Sequence, residues 1–131
     1  MTSLTKKINS TATFLGLLSI IFGAFAAHAL KQKLSVDQLS TFETGVKYQM
    51  YHALFLLFLG SNTTLSDGSK KIIYAMIVTG VFLFSGSIYV LATKDLTLLH
   101  CKPIGIITPI GGLFMIAGWA LLLIKSIKNK S

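Results

Sequence analysis

The chain has 131 residues, 53% of them hydrophobic and only 12% charged, where an average soluble domain carries about 25%. Too little polar surface is available to coat a water-soluble globule, so that class is excluded. The net charge is +8 and every basic residue is a lysine; these stand singly or in pairs at the ends of apolar runs, as lipid headgroup contacts and topology signals do, and the absence of arginine removes the commonest reader of guanine, so no nucleic-acid partner is expected.

The first apolar window, Ile8 to Leu30, is free of charge for 23 residues. A helix needs about 20 apolar residues to cross the hydrocarbon core. Lys6 and Lys7 precede it and "AFA" resembles a cleavage tripeptide, as in a secretion signal. The run is too long for a signal core, however, and Lys31 and Lys33 stop it, so the segment is expected to stay as a span. Next comes Ser35-Val36-Asp37-Gln38, a capping box in which Ser35 caps and Gln38 reaches back. Leu39, Phe42, Val46 and Met50 then recur at helical spacing, and Glu43 and Lys47 form a favourable pair one turn apart. The pattern predicts one helix from Val36 to Gly60, with an amphipathic first part at the membrane interface and a second part inside the membrane. "SNTTLSDGS" reads as a loop.

The third and fourth windows, Ile72 to Thr93 and Pro103 to Ile124, are 22 residues each. The runs are continuous rather than alternating, which excludes a barrel, and backbone groups in lipid must be satisfied within the segment, so all are helices. The expected fold is all-α, a four-transmembrane-helix bundle forming a single domain over residues 1–131, with spans at about 8–30, 46–62, 71–93 and 103–125. An even number of spans puts both termini on one side. Seven lysines then fall on the side of the termini and five on the other, which favours termini in the cytoplasm and a cytoplasmic-membrane location. Cys101 has no second cysteine for a disulfide or a metal pair.

The unusual polar residues gather toward the outer side when measured from the nearest outer lysine. At 1.5 Å per residue His28 lies about 4–5 Å deep, His52 and Tyr89 about 7–8 Å, and Thr108 with Pro109 about 9–11 Å. Ser85 and Ser87 fall in the same half. Tyr48 and His52 share a stripe one turn apart, as do Ser85 and Tyr89. His100 falls in the outer loop. Pro109 is expected to kink the last helix and free a carbonyl near Gly105. Small residues form stripes: Gly16, Gly23 and Ala27; Gly80 and Ser87; Gly105 and Gly112; Gly111 and Gly118. They suit close helix packing, within the chain or in a homo-oligomer.

The cluster His28, Tyr48, His52, Ser85, Tyr89 and Thr108 has several readings. The leading one is interhelical hydrogen bonding that stabilises the bundle. The next is a binding site for a small ligand or lipid. A third is a haem or metal carrier, or a membrane-embedded enzyme, using His28 and His52. It lacks a c-type haem motif, an intramembrane carboxylate and a nucleophile–base–orienter set, so no cofactor and no catalytic residue is expected. All four acidic residues lie outside the apolar cores, which disfavours an ion-coupled transporter. His28 is too short to snorkel and is expected to face the bundle and meet a polar group from another helix.

"GAFAAHALK", "FETGVKYQMYHAL", "FSGSIYVL" and "TPIGG…AGW" occur in this order, from about Gly16 to Trp119. Together they resemble the YgdD-like small membrane proteins, a domain-of-unknown-function family found widely in bacteria, with small eukaryotic transmembrane relatives. The resemblance implies a four-helix integral membrane protein and supplies no biochemical activity. The family pattern often has Gly where this chain has Ala26. His28, Tyr48, His52, Ser85, Tyr89, Thr108 and Pro109 fall inside the quoted motifs.

Overall fold

A computed structural model describes residues 2–97 and 104–128. The expectations for His100, Cys101, Lys102, Pro103 and the last residues, 129–131, lie outside these. The described residues are all helical or in turns. Helix α1 (Ser3–His28) is capped by Thr2, whose side chain accepts from the Thr5 amide. A 3-10 turn (Leu30–Gln32) follows. Helix α2 (Val36–Ser61) begins with the expected capping box: Ser35 accepts from the Gln38 amide at 3.1 Å and Gln38 from the Ser35 amide at 3.0 Å. Helix α3 (Asp67–Ala92) is capped by Ser66. A single turn, α4 (Lys94–Thr97), precedes α5 (Ile104–Lys128). Pro109 lies within α5 without ending it.

Three stretches, Ser3–Gln32, α3 and α5, are long and apolar enough to cross a membrane. Their outward residues fit that solvent. Phe14, Leu17, Ile20, Ile21 and Phe25 of α1 and Leu113, Ile116 and Leu123 of α5 are all exposed. In water this would be an apolar patch far larger than soluble proteins carry; against acyl chains it is the favourable surface. Helix α2 is as long as α1, at 26 residues each, but less apolar, because Glu43, Lys47, Gln49 and His52 interrupt it.

Helices α1 and α2 pack antiparallel along their whole length. Gly60 lies against Ile8 and Asn9, Gly16 against Ala53, and Gly23 against Val46. Further up, Ala26, Leu30, Leu34 and Phe42 share a small core with Ala92. Residues 36–46, the expected interfacial segment, thus belong to the same helix and pack on α1 and α3. A second core, with Ile8, Ala12, Leu56, Leu59, Ile73 and Ile77, fills the other end. There α1 also meets α3, through a 2.6 Å hydrogen bond between Thr11 and Tyr74.

Helix α5 stands apart from this arrangement. Among the described residues its Cα atoms approach those of α3 and not those of α1 or α2. Helices α1, α2 and α3 therefore pack on one another, and the backbone of α5 joins them at α3. The α3–α5 seam is set by glycines. A Cβ on Gly80 would meet Met115 Cγ at 2.5 Å and the Met115 amide nitrogen at 2.9 Å. One on Gly111 would meet the Leu83 carbonyl carbon at 2.8 Å and the Phe84 nitrogen closer still, so neither position has room for a methyl group. The small-residue stripes of α3 and α5 are in this way used inside the chain. Gly86 and Gly105 are different: among the described residues nothing lies within 4 Å of an added Cβ.

Candidate functional site

Besides the Thr11–Tyr74 bond, polar side chains of the expected cluster and its surroundings meet across the helices in three places. The first is centred on Gln49, which sequence reasoning passed over. It lies one turn after Gly45 on the inward face of α2 and is only 3% exposed. Its amide nitrogen donates to the Leu15 carbonyl of α1 at 2.9 Å. Its amide oxygen accepts from the Tyr89 hydroxyl of α3 at 2.6 Å. One side chain therefore joins three helices. Tyr89 reaches it because Gly45 has no side chain; a Cβ there would lie 2.7 Å from the Tyr89 ring. Phe22 and Phe42 flank that ring, with centroids 5.2 and 4.9 Å away. The bare Gly45 backbone also exposes its carbonyl, which accepts from Ser85 at 2.8 Å.

The second place lies between α3 and α5. The Ser87 and Thr108 hydroxyls share a short hydrogen bond. Ser87 also bonds the Phe84 carbonyl at 2.9 Å.

The third is His52. It is 4% exposed, and both ring nitrogens are engaged. Nδ1 lies 2.7 Å from the Tyr48 carbonyl. A carbonyl can only accept, so Nδ1 carries the proton. Nε2 then accepts from the indole N–H of Trp119, at 3.0 Å. An indole can only donate, so the two partners agree on one neutral tautomer. Trp119 stands edge-on to Phe55, centroids 4.4 Å apart. Tyr48 packs on Phe84 at 5.0 Å; it serves His52 through its backbone carbonyl rather than its phenol. This bond is the polar tie between α5 and α2, whose backbones stay apart. Beside it a groove of about 340 Å3 opens between α2, α3 and α5, walled by Tyr48, His52, Phe84, Met115 and Trp119.

Of the six residues expected to cluster, five thus enter interhelical contacts. His28 does not. It is exposed at the end of α1 and meets no hydrogen-bond partner among the described residues. The expectation that it faces the bundle is corrected. Ala26 and Leu30 are the buried residues of this turn, and at 100° per residue His28 stands about 200° around from each, on the opposite face. Nor do the groups lie at one level. Thr108 and Trp119 are eleven residues apart on α5, so their partners Ser87 and His52 are about 16 Å apart along the helix axis. Lys47, from which the depth of His52 was measured, is an exposed residue well inside α2 rather than its end.

His28 and His52 do not form a shared ligand pair: His28 is exposed and His52 has both nitrogens in use. Among the described residues no group of three or more His, Cys, Asp or Glu could hold a metal ion. Ser85 and Ser87 bond carbonyls and Thr108, not His52, so no serine–histidine pair is assembled. Among the described residues, one buried side-chain oxygen or nitrogen lacks a partner, Asn9 Oδ1, which rests on Gly60 at the far end.

Gln49 and Trp119 both stand inside the quoted motifs. Gln49 is the signal that could have been read: a large polar amide with Phe42, Gly45 and Ala53 on its face of the helix, all buried. Trp119 could not be paired with His52 from spacing alone, since the two are 67 positions apart.

A family model described as a protein of unknown function (DUF423) matches residues 22–112. A membrane protein of Staphylococcus haemolyticus, UPF0382 membrane protein SH2409, is 44% identical over 116 residues, covering 86% of this chain and 88% of the relative. UPF0382 membrane protein YwdK of Bacillus subtilis is 35% identical over 114 residues, covering 86% and 89%. UPF0382 inner membrane protein YgdD of Escherichia coli is 33% identical over 122 residues, covering 91% and 88%. No solved structure matches. The chain belongs to the YgdD-like, DUF423 family of membrane proteins, whose function is unknown.

Proposed function

We propose that this chain is a four-span protein of the cytoplasmic membrane, with both termini inside, and that its buried polar residues act as a lock on helix register rather than as a reaction centre. The single observation that carries the lock reading is His52, whose two nitrogens are both satisfied by the protein itself. A residue kept for ligating or for proton transfer needs a free nitrogen facing its reactant. Gln49, Ser85 and Tyr89 likewise bond protein groups on neighbouring helices.

The fourth crossing is α2. It packs antiparallel along the full length of α1, so a bilayer that encloses α1 encloses α2 too. Its polar residues support this placement, because Gln49 and His52 are buried and paired while exposed Lys47 has a stem long enough to bring its ammonium toward the headgroups. Residues 36–43 then form the outer end of the helix, near the headgroups.

A second reading is favoured by one observation. The groove beside His52 and Trp119 is walled almost wholly by apolar and aromatic surface, with Tyr48, Phe84, Met115 and Ile116 around the two rings. A small apolar ligand or a lipid chain fits that chemistry. A haem or metal reading gains no support, since ligation at His52 Nε2 would first break the Trp119 bond.

Thermal unfolding in detergent separates the first two readings. If the network is a lock, Gln49→Leu lowers the midpoint strongly without any added ligand. If it serves a site in the groove, Trp119→Phe abolishes the stabilisation given by an added apolar ligand while leaving the ligand-free midpoint nearly unchanged.

A further inference from the structure

The far end of the molecule carries a different feature. Where α1 and α3 begin side by side, a cavity of about 610 Å3 opens between them, in the size range of small-ligand sites, about 300–1,000 Å3. Thr2, Ser3, Lys7, Asp67, Lys71 and Tyr74 line it. Lys7 and Lys71 come from different helices and face one space. Each stands one residue before an apolar window begins, at Ile8 and Ile72, so the cavity sits at the hydrocarbon boundary, where lipid phosphates lie. The Thr11–Tyr74 hydrogen bond ties the two helices about one turn further in.

We propose that this cavity is a headgroup site for an anionic phospholipid of the phosphatidylglycerol class. The cations carry the argument, not the helix ends: the caps Thr2 and Ser66 already occupy the Thr5 and Ser69 amides. Two ammonium groups suit a phosphodiester, which accepts hydrogen bonds at both free oxygens. Asp67 opposes a second negative charge and, among the described lining residues, leaves Lys7, Lys71 and Asp67 with one net positive charge. A headgroup of net charge −1 balances it. A carboxylate also accepts from hydroxyls, and the glycerol headgroup supplies them beside its phosphate. Tyr74 and Ala75 continue the wall toward the acyl region. The inference rests on α2 crossing beside α1, which brings Lys71 back to the face of Lys7; a reporter fusion at Asp67 tests that crossing separately from lipid retention.

Native mass spectrometry of the detergent-purified chain tests it, with phosphatidylglycerol, phosphatidylethanolamine, phosphatidylcholine or inorganic phosphate added in turn. The wild type retains phosphatidylglycerol about tenfold better than phosphatidylcholine, the order expected for two juxtamembrane lysines, and retains no inorganic phosphate. Lys7→Gln with Lys71→Gln removes that preference, and Lys7→Arg with Lys71→Arg keeps it. Lys125→Gln with Lys128→Gln, an equal loss of charge on α5, leaves it intact. Equal retention of phosphatidylethanolamine or phosphatidylcholine, retention of inorganic phosphate alone, persistence of the preference in the glutamine pair, or equal loss in the α5 control would each overturn the assignment.

Discussion

The indole N–H of Trp119 reaches the imidazole of His52 across a gap that no backbone of α5 bridges. Because Nδ1 of the same ring is held by the Tyr48 carbonyl, the ring is fixed in orientation and tautomer before Trp119 meets it. The bond therefore fixes how α5 is rotated on α3.

This coupling is measurable by a double-mutant cycle. Trp119→Phe and His52→Phe should each lower stability, and the pair should cost less than the sum. Polar ties between membrane helices average about 0.6 kcal/mol, with a maximum near 1.7, and the interaction energy should fall in that range. Reversible unfolding in mixed micelles reads it; strict additivity would mean that the bond contributes nothing.

Gln49 offers a sharper case, because its two bonds go to two helices. Tyr89→Phe leaves the buried Gln49 oxygen without a donor, at a cost of about 1–3 kcal/mol. Gln49→Leu strands both Tyr89 and one acceptor site on Leu15. Once Gln49→Leu is present, adding Tyr89→Phe should cost almost nothing or restore some stability, since the orphaned hydroxyl is removed. A further full loss in the double variant would place Tyr89 in some other interaction.

The glycine seam predicts opposite results for the same chemical change. Gly111→Ala drives a methyl group into the backbone of α3, so α5 must shift or detach; overpacking of this kind costs about 1–3 kcal/mol. Gly105→Ala and Gly86→Ala meet nothing within 4 Å among the described residues and should be silent or slightly stabilising through helix propensity. Crosslinking yield between cysteines placed at Val90 and Ile104, which line one space between α3 and α5, would report the α3–α5 distance in each background.

His28→Phe should leave thermal stability within about 0.5 kcal/mol of wild type, as surface changes do. His28→Asn should behave alike. A loss of more than about 1 kcal/mol from His28→Phe would restore a partner to this imidazole.

The helices were legible because their signals are local. The apolar windows of α1 and α3 and the Ser35–Gln38 capping box name their own ends. The site was only half legible, for two physical reasons. A lysine marks the membrane boundary poorly when its stem can snorkel, and Lys47, well inside α2, shifted the inferred depth of His52 by about 16 Å. Periodicity also gives the face of a residue relative to its own helix, never which neighbour covers that face. His28 and Gln49 were thus exchanged in importance, although the buried stripe through Ala26 and Leu30 already pointed away from His28. The helix arrangement, with the backbone of α5 close to that of α3, depends on glycine contacts between distant segments, and no local pattern encodes it.

Everything about the lock assumes that α2 runs through the bilayer beside α1, and the loop after α2 tests that directly. Reporter fusions at Asp67 and at Leu96, each in the full upstream chain, read which face each residue occupies. The account predicts Asp67 in the cytoplasm and Leu96 outside. If Asp67 and the segment around Leu34 are found on the same outer side, α2 does not cross, and Gln49 and His52 cannot lie in a membrane-embedded network.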